Sequence, residues 1–298
     1  MTEPRPASPW HPGEIAIQAH LGVAERMAEL GSRVIRDHLT EQHRAFYRHL
    51  PFVVLGTVDP AGEVWATLRT GLPGFLDAPD PFHLRVRIAP DPQDPAEAGL
   101  SDGAGIGLLG IDLTTRRRNR LNGTIRQRGA DGFDIAVAQS FGNCPQYIRV
   151  RPNPGPVSDT EAGDAQISQG LDASARALVA GAETLFVASA VAGPEGVQVD
   201  VSHRGGPAGF VRIDADGGLT IPDYSGNRFF NTLGNLLANP RAGLVFPDFA
   251  TGDLLQMTGR TEVILESPEI AAFPGAERLW RFEPRTVIRR GNATARSR

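Results

Sequence analysis

Residues Gly107–Gly123 and Gly243–Gly259 align without a gap at an offset of 136 (243 − 107). Five positions are identical: Gly107/Gly243, Leu108/Leu244, Asp112/Asp248, Thr115/Thr251 and Gly123/Gly259. Chance would give about one, so the chain reads as a diverged internal duplication. The order extends outwards. The run TLFVASAV from Thr184, a GPEG turn and VQVDVSH repeat the order of Phe52–Thr70 with one or two inserted residues. Leu72–Phe75 (LPGF) answers Pro207–Phe210 (PAGF).

The repeated unit reads as short strands. FVVLGTV from Phe52 is β-branched and apolar, and Asp59-Pro60-Ala61-Gly62 is a turn signal. EVWATLRT, FHLRVRIA, GIGLLGIDL, RLNGTIRQ and FDIAVAQSF follow, as expected of a small barrel. Helical spacing marks Glu14 to about His38, then Gln42–His49, and later Leu171–Ala182. FGNCPQYI at Phe141–Ile148 reads as a tight turn into a short helix. The fold class is therefore mainly β with flanking helices (α+β). A helical and extended segment, 1–45, is Pro-rich over residues 1–13; a first half, 46–150, follows. A linker rich in Pro, Gly, Ser and Asp, 151–170, leads to a second half, 171–290, and a tail, 291–298.

Composition excludes several chemistries. All 30 basic residues are Arg, so neither a Schiff-base lysine nor a Walker-type phosphate loop exists. Any bound phosphate must be held by Arg, hydroxyls and backbone N–H groups. One cysteine, Cys144, rules out an internal disulfide and multi-cysteine metal sites, and the seven His show no paired ligand spacing. A net charge of −4 gives no bulk attraction to nucleic acid or an acidic membrane. Short apolar runs and the lack of a signal-peptide pattern lead us to expect a cytoplasmic protein.

The stretch Asp200–Gly259 carries the most chemistry. DVSHRGGPAGF places Ser202 and Arg204 on a strand; IPDYSGNR makes a polar turn; Asn227-Arg228 precedes a predicted helix, FFNTLGNLLAN, which Asn227 would cap. An arginine beside the first free N–H groups of a helix suits a phosphate. SHRGGPAGF, IPDYSGNR and NPRAGLVF, in this order and spacing, resemble the FMN-binding split barrel of the pyridoxamine 5′-phosphate oxidase superfamily. The similarity is to a flavin-nucleotide-binding branch of it, and PFVVLGTVD at Pro51–Asp59 and FGNCPQYI fit the same branch.

The resemblance implies two tandem split β-barrels paired within one chain, with FMN in the groove between them. It implies that Arg228, Asn227 and Ser225 meet the FMN phosphate, with Pro222 and Asp223 in the same turn. Asp223 would repel a phosphate, so its carboxylate is expected to orient Arg204 or Arg228, or to meet ribityl hydroxyls. Val201, Ser202 and His203 would line the flavin ring, largely through backbone, and Arg204 would reach the phosphate. The oxidase itself has apolar residues at the Ser202 and His203 positions and a C-terminal substrate pattern that this chain lacks, which argues against vitamin B6 oxidation. In the first half Arg69-Thr70-Gly71 is a degraded counterpart of SHRGG, and no SGNR-helix unit accompanies it.

Thr115–Arg120 (TRRRNR) reads either as a solvated turn or as a cationic contribution across the groove. Trp280-Arg281 reads as a last packed strand or as a terminal motif of the branch. Cys144, without a base partner at a telling spacing, reads as packing. The functional expectation is an FMN-dependent oxidoreductase taking electrons from a nicotinamide nucleotide or a partner reductase, with a small-molecule substrate. The alternatives are a non-catalytic flavin-binding or electron-transfer module, or a split barrel holding heme or a deazaflavin. A homodimer is compatible with either reading.

Overall fold

The computed structural model describes residues 8–153, 163–194 and 196–294. Most of the Pro-rich N-terminal stretch, the centre of the expected linker, Glu195 of the GPEG turn and half of the tail lie outside the described residues. Three helices open the chain: α1 (Pro12–His20), α2 (Ala24–Val34) and α3 (Glu41–Arg48). The single helix expected over Glu14 to about His38 is thus two, because the backbone turns at Leu21-Gly22 with Gly22 at φ +67°. That left-handed conformation suits a residue without Cβ.

Seven strands follow: β1 (Phe52–Val58), β2 (Val64–Thr70), β3 (Leu76–Asp80), β4 (His83–Val86), β5 (Gly105–Asp112), β6 (Arg117–Gly129) and β7 (Gly132–Gly142). After β8 (Gln166–Ser168), helix α4 (Ala173–Gly181) leads into β9 (Thr184–Gly193), β10 (Gly196–Gly205), β11 (Arg212–Ile213) and β12 (Leu219–Tyr224). The described chain ends with α5 (Asn231–Ala238), β13 (Arg241–Pro247), β14 (Leu254–Ile264) and β15 (Ala276–Arg290). No described helix is long and apolar enough to cross a membrane.

The strands form two antiparallel sheets, an arrangement consistent with a split barrel. The first runs β2-β1-β5-β6-β7-β4-β3 and the second β10-β9-β13-β14-β15-β12-β11, the same path strand for strand, with β8 added on β15. The repeated sequence window falls on equivalent hairpins in equivalent register. Gly107 pairs with Asn122 as Gly243 pairs with Thr258, and Leu108 with Leu121 as Leu244 with Met257.

Strand alternation explains why the central runs are apolar on both faces. On β1, Val53 and Leu55 enter the core of the first half, whereas Phe52 and Val54 enter a core that both halves share. On β9, Leu185 and Val187 face the second half's own core, and Phe186, Ala188 and Ala190 join the shared one. Two glycines set the approach of the sheets. A Cβ on Gly107 would meet the Val199 carbonyl oxygen at 2.7 Å, and one on Gly243 would meet that of Val64 at 2.6 Å. Each half therefore lays a bare stretch of backbone on the equivalent strand of the other.

Candidate functional site

A cleft opens between the end of β10, the β12–α5 connection, the start of β6 and the turn after β7; including its mouth it measures about 910 Å³. Ser202 and Arg204 lie two apart on β10 and so project to one face. From the opposite sheet Arg118 and Arg120, also two apart on β6, reach into the same space. Arg278 of β15 closes its floor.

Four guanidinium groups thus converge under partial or full burial. Arg120 donates to Asp200 at 3.2 Å and to the Ser202 hydroxyl, which also accepts from Thr232 at 2.8 Å. Arg204 and Arg278 share Asp223, at 2.5 and 2.9 Å. Among the described residues the Arg118 guanidinium meets only the ring of His203, at 3.4 Å from Nδ1. Burial, and then the charges of Arg120 and Arg204, push the Arg118 pKa down to about 10. The same surroundings act on His203: burial first, then Arg118, Arg204 and Arg151, hold its pKa well below the usual value. Its imidazole is therefore neutral at physiological pH.

Several buried donors here find no acceptor among the described residues: Nε of Arg118, Arg120 and Arg204, and Nδ2 of Asn143. Buried polar groups are normally paired, so a cluster of orphaned donors marks a place for an acceptor-rich ligand. The arrangement fits a phosphorylated group: cations from two sheets, hydroxyls of Ser202, Ser225 and Thr232, and a helix start.

The β12–α5 connection differs from the expected helix start. Asn227 and Arg228 lie before the helix, in a turn, and the N-cap of α5 is Phe230 at φ +61° with no capping side chain. Asn227 instead closes its own turn, its Oδ1 accepting from the Phe229 N–H at 3.1 Å. Arg228 is also left-handed, at φ +61°, and exposed, with no ion pair among the described residues. Phe229 decides this geometry: it is buried against Trp10, with ring centroids 4.8 Å apart, which pulls the chain out of helical phase. The first N–H groups of α5, at Asn231 to Leu233, still border the cleft.

Of the residues expected at the site, Ser202, His203, Arg204, Pro222, Asp223, Ser225, Asn227 and Arg228 all line this one cleft. Val201 does not. Its side chain packs in the shared core against the face of Gly56. His203 shares that inward face and meets Phe186 edge-on. Asp223 holds Arg204 and leaves Arg228 free.

Arg118 and Arg120 escaped the set of expected site residues. Their two-residue spacing within TRRRNR was the available signal, but it shows only that they share a face. The Phe141–Ile148 segment is a turn without a helix; Tyr147 is left-handed (φ +63°), which breaks any helical run there. Its Tyr147 ring stacks on Tyr224 at 5.2 Å and its hydroxyl donates to the Ser225 carbonyl at 3.0 Å, bridging the halves above the cleft. Cys144 lies in the lining, half-buried. In the first half Arg69 donates to Asp94 at 3.3 Å and Glu97 at 3.0 Å, carboxylates that flank and belong to the 3-10 turn Pro95–Gly99.

The family model for pyridoxamine 5′-phosphate oxidase matches residues 171–291, the span from α4 to the end of β15. The match lies wholly within the second half of the chain. No curated protein matches the sequence. Similar solved structures include a FAD-binding protein from Mesorhizobium loti, 16% identical, covering 43% of this chain and 97% of that one at a TM-score of 0.28. The heme storage protein HutZ from Vibrio cholerae is 14% identical, covering 40% and 95% at a TM-score of 0.29. HupZ from Group A Streptococcus is 14% identical, covering 38% and 89% at a TM-score of 0.29.

Proposed function

We propose that the cleft binds FMN and that the chain is an FMN-dependent oxidoreductase, built as two tandem split barrels paired in one polypeptide. The convergence of Arg118, Arg120 and Arg204, with donors left unpaired, carries the reading. A site so cationic and so short of acceptors is completed by a phosphate-bearing ligand. Arg204, Arg228 and the start of α5 would hold the phosphate, with Ser225 and Asn227 adding hydrogen bonds. Leu109, Phe210 and the Tyr147–Tyr224 stack supply apolar surface for a planar ring.

When bound, FMN supplies hydride or electron transfer, and the protein positions it and excludes water. In the lining, burial and the neighbouring guanidiniums hold His203 neutral, and Asp223 accepts from Arg204 and Arg278. A lining of this kind, cationic with apolar surface beside it, suits flavin-centred redox chemistry, with a nicotinamide nucleotide or a partner reductase as donor. It is equally compatible with a flavin carrier that does no chemistry of its own.

The test is the absorbance spectrum of the purified chain, followed by identification of what denaturation releases. We expect a yellow protein that releases FMN. A colourless protein that fails to bind added FMN in a titration ends the reading, and a Soret band replaces FMN with heme. Rapid reduction of the bound flavin by NADH or NADPH selects the enzyme; inertness selects the carrier.

A further inference from the structure

Strand register gives each strand residue of the cleft a counterpart in the other half, whatever its side chain. Thr67 faces Leu55 across β1–β2 as Ser202 faces Val187 across β9–β10. Leu55 and Val187 in turn face Leu108 and Leu244, which the repeat equates. Thr67 and Arg69 therefore stand where Ser202 and Arg204 stand. By the same count Gln256, facing Val245, answers Arg120, facing Leu109. Arg290 lies across from Leu254 as Asn143 lies across from Arg118, so the cation has moved to the neighbouring strand.

The two places differ in what fills them. The N-cap before α5 is Phe230, and the N-cap before the 3-10 turn Pro95–Gly99 is Asp94. The Asp94 side chain is 0% exposed and points into the four counterparts. Its Oδ2 accepts from the Thr67 hydroxyl at 2.6 Å and meets the Arg69 and Arg290 guanidiniums, each at 3.3 Å. Its Oδ1 accepts from the Gln256 side-chain amide at 3.0 Å and from the Ala96 N–H at 3.1 Å. Glu97 and Asp91 take the outer sides of Arg69 and Arg290. In the open cleft Arg120 and Arg204 each leave a buried Nε unpaired among the described residues, whereas Gln256 and Arg69 leave no buried donor so. A carboxylate sunk this deep is tolerated only where donors surround it. Asp94 meets them where the other half leaves room for a ligand.

We propose that Asp94 is a built-in ligand: it fills, from within the chain, the first half's counterpart of the cleft's anion seat, and that seat accepts a free small oxyanion once the side chain is gone. The seat stands on register and contacts alone; that its open twin takes the phosphate of FMN rests on the reading above.

The test is the melting temperature of the full chain, titrated with sodium formate at constant ionic strength. Formate has the size and charge of the missing carboxylate. The variants are Asp94→Gly, which vacates the seat, and Asp94→Asn, which keeps it full without charge. We expect Asp94→Gly to melt below the wild type and formate to recover most of that loss, with the saturable rise of a bound ligand. The wild type and Asp94→Asn should show no such rise, and Arg69→Met added to Asp94→Gly should abolish it. If Asp94→Gly does not fold unaided, refolding from denaturant with formate against without it reads the same effect. No rescue in either format, an equal rise in all three proteins, or a rescue that survives Arg69→Met would overturn the proposal. None of these curves requires FMN, so a chain that fails to bind FMN and still shows the rescue would lose the cofactor reading and keep the filled seat.

Discussion

Arg118 is a cation in a poor place for one: half-buried, beside two other guanidiniums, and facing a neutral imidazole. A side chain kept there against folding energy is expected to serve a ligand. Arg118→Met should therefore raise the melting temperature of the ligand-free chain and weaken FMN binding about tenfold or more. A lower melting temperature would show that the charge serves the fold. Arg228 calls for a different substitution, because at φ +61° an alanine would be strained while a glycine would not. Arg228→Gly should leave melting unchanged and lose about 1.5–3 kcal/mol of FMN binding, the worth of one charge-assisted hydrogen bond. Unchanged affinity in equilibrium titration would take Arg228 out of the site. Arg204 and Arg228 were legible because they sit in motifs with a chemical reason. Arg118 and Arg120 were legible only as part of the TRRRNR cluster, as one of two readings, because strand period tells which residues share a face and not what that face meets.

At the scale of elements, the least legible contact joins α1 to α5. A Cβ on Gly13 would fall 2.1 Å from the Gly234 carbonyl oxygen, so the two helices touch backbone to backbone. Around that contact His11 reaches Asn235 at 2.8 Å, and the Glu14 carboxylate takes the Asn231 side chain at 2.5 Å and the His11 N–H at 2.9 Å. Burial, and then the charge of Asp200, raise the Glu14 pKa to about 8. Burial lowers that of His11, so at neutral pH the two are a hydrogen-bonded neutral pair rather than an ion pair.

The sign follows from proton counting. Between the ordinary value of 4.5 and about 8 the folded state keeps a proton that the unfolded state has lost. Stability therefore falls as pH rises through that window. Glu14→Gln should flatten this slope, so that the variant gains on the wild type towards pH 8 in denaturant titrations. A parallel pH dependence in both proteins would show that Glu14 titrates normally. The helical period was readable over residues 14–38, but the break at Gly22 and the left-handed Phe230 before α5 depend on tertiary packing that no local pattern encodes.

For the whole molecule, the shared strand order and the reciprocal glycines Gly107 and Gly243 describe one unit used twice. This much was readable from a 17-residue window, because hairpin register constrains sequence more tightly than connections do. The two halves part company at the connections. Where the second half has the open β12–α5 turn, the first has the 3-10 turn at Pro95–Gly99, whose neighbouring carboxylates hold Arg69. Equilibrium dialysis should accordingly find one FMN per chain, and Arg69→Ala should change its affinity by no more than about twofold. Two FMN per chain, or equal losses from Arg69→Ala and Arg228→Gly, would contradict this.

The shared core also bears on how this chain may be cut. Phe186, Ala188, Val199, Val201 and Val245 of the second half rest on Phe52, Val54, Val64 and Leu109 of the first. Severed at the linker, the superfamily-matching fragment would carry a greasy wall with nothing to lean on. It would clump or seek a twin of itself, and it would also lose the two arginines that the first half lends to the cleft, so the inherited partner is wall and ligand grip at once.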